Sequence, residues 1–444
     1  MNQRIHINYE LLLKQFLTFK SISTETKYKQ EINNTVDWLK KIFIKNSFKI
    51  DILKGKVCNP IILASYQHHS TKSETILVYG HYDVQPANQE DGWLSDPFSL
   101  FKKDGRLYGR GTVDNKGQVL IHIYTVFDLI KQNKLKYNVK FLIEGNEETS
   151  NEDLPGIIKE NKELLSCDHI IISDGELLGK NPVLEYSLRG GFSCKLEYKT
   201  ANNNLHSGIY GGAVPNAAYE LSKFVFKLYD QENRIAVHGF YDNVDEIKDT
   251  QRNDNQVLTQ LSQNMIDNTG VKSLLTEPGF DFFTQIGCRP TIQVTGFKAG
   301  YINEGFSNIV PSTAEVRLNF RIVTTQKARE VIKLFEEYVK INTPKYIEFN
   351  MVFAHSHDPV KINIESPMAE KVAKLLEKAF ETKVYKKPVG GAIPIVSDFK
   401  TVLGKDTLLV SLGNDDCNMH GINENFDISL LEKGLKFSRL FFSK

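Results

Sequence analysis

Glu147 and Glu148 stand side by side in the stretch Glu144-Gly145-Asn146-Glu147-Glu148, while His81, Asp83, Asp114, Asp174 and His420 lie at distant points of the same chain. Adjacent carboxylates repel one another unless a cation lies between them. Imidazole and carboxylate donors without cysteine suit zinc, manganese or cobalt, and a carboxylate shared by two ions holds them roughly 3.5 to 4 Å apart. The chemistry indicated is hydrolysis at a pair of divalent metals. On this reading His81, Asp114 and Asp174 hold one ion, and Asp114, Glu148 and His420 hold the other, with Asp114 as the bridge. Asp83, two residues after His81, is expected to accept a hydrogen bond from its ring and fix the tautomer. Glu147 is left free to take a proton from an attacking water and pass it to a leaving amine.

Each residue alone is weak evidence, because an aspartate or histidine after a strand is commonly a cap or turn former. Their joint placement carries the argument. Ile76–Tyr79, Val139–Ile143 and Ile170–Ile172 read as buried strands, and Val119–Ile130 has apolar residues at helical spacing. His81, the Glu147-Glu148 pair and Asp174 each follow one of those strands, and His420 follows a further expected strand, Thr407–Leu412, by a loop. Open α/β sheets bind ligands beyond the carboxyl ends of their strands, so these positions can converge. Asp114 precedes the Val119 helix, whose N-terminus favours the ionised carboxylate.

From about Arg189 the pattern becomes strand (Phe192–Tyr198), helix (Asn216–Tyr229), two strands (Thr291–Thr295 and Glu315–Val323), helix (Gln326–Ile341) and strand (Ile347–Phe353). That order, βαββαβ, is ferredoxin-like. The fold expected is an α/β mixed-sheet catalytic domain with helices on both faces, formed by residues 1–187 and 361–444 and interrupted by an inserted domain over 188–360. Gly109-Arg110-Gly111 lacks the third glycine of a dinucleotide loop, Ser207 has no nucleophile elbow, and His355 and His357 read as decoration of a strand end.

Composition narrows the partners. With 55 basic against 54 acidic side chains the chain has no electrostatic footprint for nucleic acid or an anionic membrane, and a small molecule is the default ligand. Five scattered cysteines without a CxxC pair suggest a reducing compartment. No stretch approaches the roughly 18 apolar residues of a membrane span. The expected location is cytoplasmic.

The wording of the motifs adds a resemblance. Gly80-His81-Tyr82-Asp83-Val84-Gln85-Pro86, Gly109-Arg110-Gly111-Thr112-Val113-Asp114-Asn115-Lys116-Gly117, Ser173-Asp174-Gly175, Leu205-His206-Ser207-Gly208, Gly390-Gly391-Ala392-Ile393-Pro394 and Met419-His420-Gly421-Ile422-Asn423-Glu424 closely resemble the carnosinase-like dipeptidases of the di-zinc aminoacylase and carboxypeptidase G family. The resemblance implies two zinc ions per subunit, a cis peptide bond after Asp114, and an inserted domain that acts as lid and dimer interface. It further implies that His206 reaches the partner subunit's centre to stabilise the oxyanion, and that Arg321 grips the substrate's terminal carboxylate. Asn308 would sit over the scissile carbonyl, with Gly391 and Ala392 near the substrate. The implied reaction is hydrolysis of dipeptides or similar small peptides with a free carboxylate, with N-acyl amino acid deacylation or desuccinylation as the alternative on the same scaffold; a catalytically silent binding protein is opposed by the intact ligand set. Val389 and Ala392 depart from the acidic residue and serine of those dipeptidases, which puts the terminal contacts in question.

Overall fold

Apolar residues alternate along the central strands, and the two sets enter different cores. Ile76 and Val78 of the strand Thr75–His81 pack into one cluster, while Leu77 and Tyr79 pack into another. Phe141 and Leu142 of Asn138–Glu144 divide in the same way. A period of two on a sheet buried on both sides has this consequence. The first cluster is covered by the helices Gln3–Leu17, Lys29–Lys45, Lys116–Lys131, Pro367–Phe380 and Ile428–Phe442, and the second by Leu154–Glu160 and Pro394–Asp398. The computed structural model describes residues 3–70, 72–391 and 393–443.

The resulting sheet has nine strands and is mixed. Thr75–His81 lies between Asn138–Glu144 and His169–Ile172, parallel to both, and Thr407–Leu409 continues the parallel run beside His169–Ile172. Antiparallel strands Lys49–Leu53 and Ile61–Tyr66 finish one side. On the other side Val183–Leu188 receives Val360–Lys361 antiparallel and Tyr385–Val389 parallel. Four parallel strands therefore present their carboxyl ends along one edge.

A separate antiparallel sheet has the order Thr291–Ala299, Thr313–Ile322, Gly190–Lys199, Glu348–His357. Helices Ala217–Phe226 and Ala328–Asn342 pack with it around Phe192, Leu196, Phe224, Phe320 and Phe335. Asn216 caps the first of these helices, accepting from the Tyr219 amide, so the helix begins one residue after the expected start at Asn216. Three further helices, Asp249–Leu261, Gln263–Asn268 and Phe282–Cys288, lie between the first of these helices and the strand Thr291–Ala299. The expected strand Thr407–Leu412 ends at Leu409.

Candidate metal centre

The parallel strands deliver the ligands. His81 is the last residue of its strand, Glu147 and Glu148 form a short turn of helix just after Glu144, and Asp174 follows Ile172 by two residues. His420 arrives on the loop after Thr407–Leu409 with a left-handed backbone, φ 60°. Asp114 sits just before the helix Lys116–Lys131, and the Asp114-Asn115 peptide bond is cis, as the resemblance implied.

Two groups of ligand atoms result, His81 with Asp114 and Asp174, and Asp114 with Glu148 and His420, each with all its atoms within 4.8 Å of one another. Asp114 belongs to both. Its Oδ1 is 3.1 Å from His81 Nε2, and its Oδ2 is 2.8 Å from His420 Nε2. Asp174 Oδ2 lies 3.6 Å from His81 Nε2, and Glu148 Oε2 lies 3.3 Å from His420 Nε2.

His81 supplies the test of whether this site suits a cation. Its Nδ1 is 3.0 Å from the main-chain carbonyl oxygen of Asp83, an atom that can only accept. In a neutral ring Nδ1 therefore carries the proton and Nε2 offers a lone pair. That Nε2 is buried, makes no hydrogen bond among the described residues, and faces two carboxylates. A lone pair and two carboxylate oxygens around one point fit a divalent ion. With protons in place of cations the electrostatics agree in direction. Hydrogen bonds to Asp114 and Glu148 push His420 up to about 10. Burial opposes charging His81, yet Asp174 and Asp114 outweigh it and raise its pKa well above the usual value. Burial also opposes ionisation of Asp114, but the two histidines override it and hold that carboxyl below the usual range. Cations would displace those protons.

Glu147 lies outside both ligand groups. Burial first, and then the charges of Asp174, Asp114 and Asp83, raise its pKa well above the usual carboxylate value, with His81 acting in the opposite direction. Asp83 meets the ring of His81 through its main chain as well as its side chain. The ring of His81 is held by the main-chain oxygen of Asp83, whose carboxylate is 3.4 Å away and accepts from the amides of Glu147 at 3.3 Å and Glu148 at 3.2 Å. The carboxylate thus orients the turn that presents the two glutamates.

Several supporting residues were missed in the sequence. Asn115 donates to Asp174 Oδ1 at 2.9 Å and to the Ser173 carbonyl at 2.7 Å, and its Oδ1 accepts from the His81 amide at 3.3 Å. Gln85 donates to Glu148 Oε2 at 2.7 Å. Buried Glu424 accepts from the amides of Gly111, Val113 and Asp114 and pairs with Arg110 at 2.8 Å, while Arg110 also donates to the carbonyls of His420 and Gly421. This ion pair ties the Asp114 loop to the His420 loop. Opposite charges inside two glycine-containing motifs were the available signal.

The remaining expected site residues divide. Arg321 lines a cavity of about 270 Å³ together with Glu147, Asn319, His355 and His357. The two histidines read as strand-end decoration are therefore cavity residues. His206 is exposed, its Nδ1 accepting from the Gly208 amide at 3.0 Å, and it pairs in register with Ile309 beside the exposed Asn308. Neither His206 nor Asn308 makes a hydrogen bond or ion pair with His81, Asp114, Glu148, Asp174 or His420 among the described residues. Gly391 is exposed, with its carbonyl accepting from the Arg189 amide at 3.2 Å. Ala392 lies outside the described residues.

Paired candidate ligand groups around a shared aspartate, beside a buried carboxylate outside both, at the carboxyl edge of a mixed α/β sheet, have the composition of a metal-dependent hydrolase. The chain belongs to Peptidase family M20/M25/M40, whose model matches residues 77–444, and it is a metallopeptidase. It is 31% identical over 370 residues to a cysteinylglycine-S-conjugate dipeptidase of Corynebacterium striatum, covering 81% of this chain and 78% of that one. It is 28% identical over 393 residues to the human Beta-Ala-His dipeptidase, covering 86% and 77%. Its fold is similar to that of an M20 family metallo-carboxypeptidase, Sso-CP2, from Sulfolobus solfataricus, with TM-score 0.87, 27% identity and coverage of 100% and 99%.

Proposed function

We propose that this metallopeptidase is a zinc-dependent dipeptidase that cleaves dipeptides or similar small peptides bearing a free C-terminal carboxylate. The observation that carries the reading is Asp114, with one oxygen toward His81 and the other toward His420, beside a cavity that Glu147 and Arg321 share. Two divalent ions held by His81, Asp114, Asp174, Glu148 and His420 would polarise the scissile carbonyl and lower the pKa of an attacking water. Glu147 takes the proton from that water and delivers it to the leaving amine. Arg321 orients the substrate through its carboxylate. A panel of free dipeptides and N-acyl amino acids, assayed with metal analysis, tests the reading. Turnover restricted to the N-acyl compounds would replace it with a deacylase or desuccinylase.

Replacing Arg321 with alanine is expected to lower kcat/KM for a free dipeptide on the order of 10- to 100-fold, the worth of one charge-assisted pair. Amidation of the substrate's C-terminus should do the same to the wild type. Equal cleavage of acid and amide rejects the role.

The same proposal includes a homodimer in which residues 188–360 act as lid and interface. Val294 and Phe297, each nearly half exposed on the outermost strand Thr291–Ala299, and a fully exposed Phe306 support an interface there, because an open edge with apolar side chains invites pairing. The partner subunit's His206 would then stabilise the tetrahedral oxygen, with Asn308 beside it. His206→Ala and Glu147→Gln homodimers should each be nearly inactive. Mixed in equal amounts with verified exchange, they should recover roughly a quarter of wild-type activity, since about half the dimers are mixed and each has one complete site. Recovery at background alone would remove His206 from a shared site.

Five unpaired cysteines support a reducing compartment, and a cytoplasmic location belongs to the proposal. Among the described residues no helix is long and apolar enough to cross a membrane.

A further inference from the structure

Arg321 and His357 lie in one row across the four-stranded sheet. Each is the register partner of Gly191, on opposite sides of the strand Gly190–Lys199. Residues in register on neighbouring strands project to the same face, and strands are spaced about 4.8 Å apart, so the two side chains rise about 9 to 10 Å from each other across a residue that has none. The glycine is required. A Cβ there would stand 2.4 Å from the carbonyl oxygen of Phe320. The ladder shifts between Ala354 and His357, and His355 takes a left-handed φ of 56°, an irregularity that re-aims the end of the strand.

Each flanking side chain has polar atoms that are unpaired among the described residues. Arg321 makes no hydrogen bond or ion pair among the described residues, and burial lowers its pKa. His357 Nδ1 is 3.0 Å from the main-chain oxygen of His355, so it is the donor, and Nε2 is left as an acceptor. That Nε2 is buried and unpaired. Burial, with the nearby Arg321 cation adding to it and the His355 hydrogen bond opposing, lowers the pKa of the ring from its usual value. Unpaired buried acceptors are uncommon, and in a cavity wall such a group is matched by a ligand's donor. Arg321, Gly191 and His357 all line the cavity that Glu147 enters.

We propose that His357, across Gly191 from the Arg321 already assigned to the carboxylate, selects a substrate whose carboxylate-bearing residue has a hydrogen-bond donor in its side chain. The carboxylate meets Arg321, the side chain lies over Gly191, and its hydroxyl or N–H donates to His357 Nε2. The inference rests on the dipeptidase reading. It predicts a preference for threonine over valine, which differ by a hydroxyl in place of a methyl, at the C-terminal position.

The experiment compares kcat/KM for Ala-Thr and Ala-Val with metal-loaded enzyme. The wild type is expected to favour Ala-Thr by about tenfold or more, because an apolar isostere leaves the buried acceptor unpaired. His357→Phe should bring the ratio close to one. His357→Gln, whose amide oxygen can accept, should keep part of the preference. Equal kcat/KM for two dipeptides that the wild type cleaves overturns the role of His357 and leaves the dipeptidase reading intact. So does a preference that survives in His357→Phe. Failure to cleave either dipeptide with metal bound overturns the dipeptidase reading, and the selection by His357 with it.

Discussion

Glu147→Gln is expected to reduce kcat by about 100- to 10,000-fold while leaving two metals on each chain. Glutamine keeps the size of the side chain and its capacity to hydrogen-bond, but it cannot take a proton from water and return it to an amine. The metals should remain because Glu147 belongs to neither ligand group, and because the carboxylate of Asp83, which accepts from the amides of Glu147 and Glu148, still holds the turn. Substrate binding should change little, since the loss falls on a proton transfer made in the transition state. Dipeptide hydrolysis and elemental analysis on one preparation decide the matter. A kcat within tenfold of wild type, or the loss of one ion, would assign the proton transfer elsewhere.

Asp114→Ala is expected to abolish turnover by removing both ions, whereas Asp174→Ala and Glu148→Ala each weaken one. The difference follows from geometry, because only Asp114 contributes an oxygen to each group. Metal content should fall from about two per chain to near zero. Thermal stability provides a second readout, since an ion that binds only the folded chain raises Tm. Wild-type Tm should fall on chelation and recover with added zinc, while that of Asp114→Ala should respond to neither. A variant that retains one tightly bound ion would show that Asp114 does not bridge.

The residues that gather in the two candidate ligand groups stood out in the sequence because most lie within a few residues of a strand end or helix start that periodicity marks. Parallel strands carry such ends to a common edge, so His81, Glu148 and Asp174 could be grouped without knowing any distance. The helix Asp249–Leu261 was hidden because its sequence, DTQRNDNQVLTQL, places only three apolar side chains along thirteen residues. The resemblance, and not periodicity, supplied the cis bond after Asp114 and the expectation for Arg321.

What the sequence determined by itself was local: which residues have ligand chemistry, which strands are buried on both faces, and which strand ends the ligands follow. Tertiary structure alone decided how lone pairs face one another. The ring of His81 is held by a main-chain oxygen, the carboxylate of Asp83 orients two glutamates some sixty residues away, and Glu424 and Arg110 join loops more than three hundred residues apart. His357 became a cavity residue through the irregular ladder at its strand end and through a shared partner, Gly191, that aligns it with Arg321. Side-chain type and spacing are properties of consecutive residues, whereas register between distant strands is set by the packing of the whole sheet, and one step of register reverses the face on which a side chain stands.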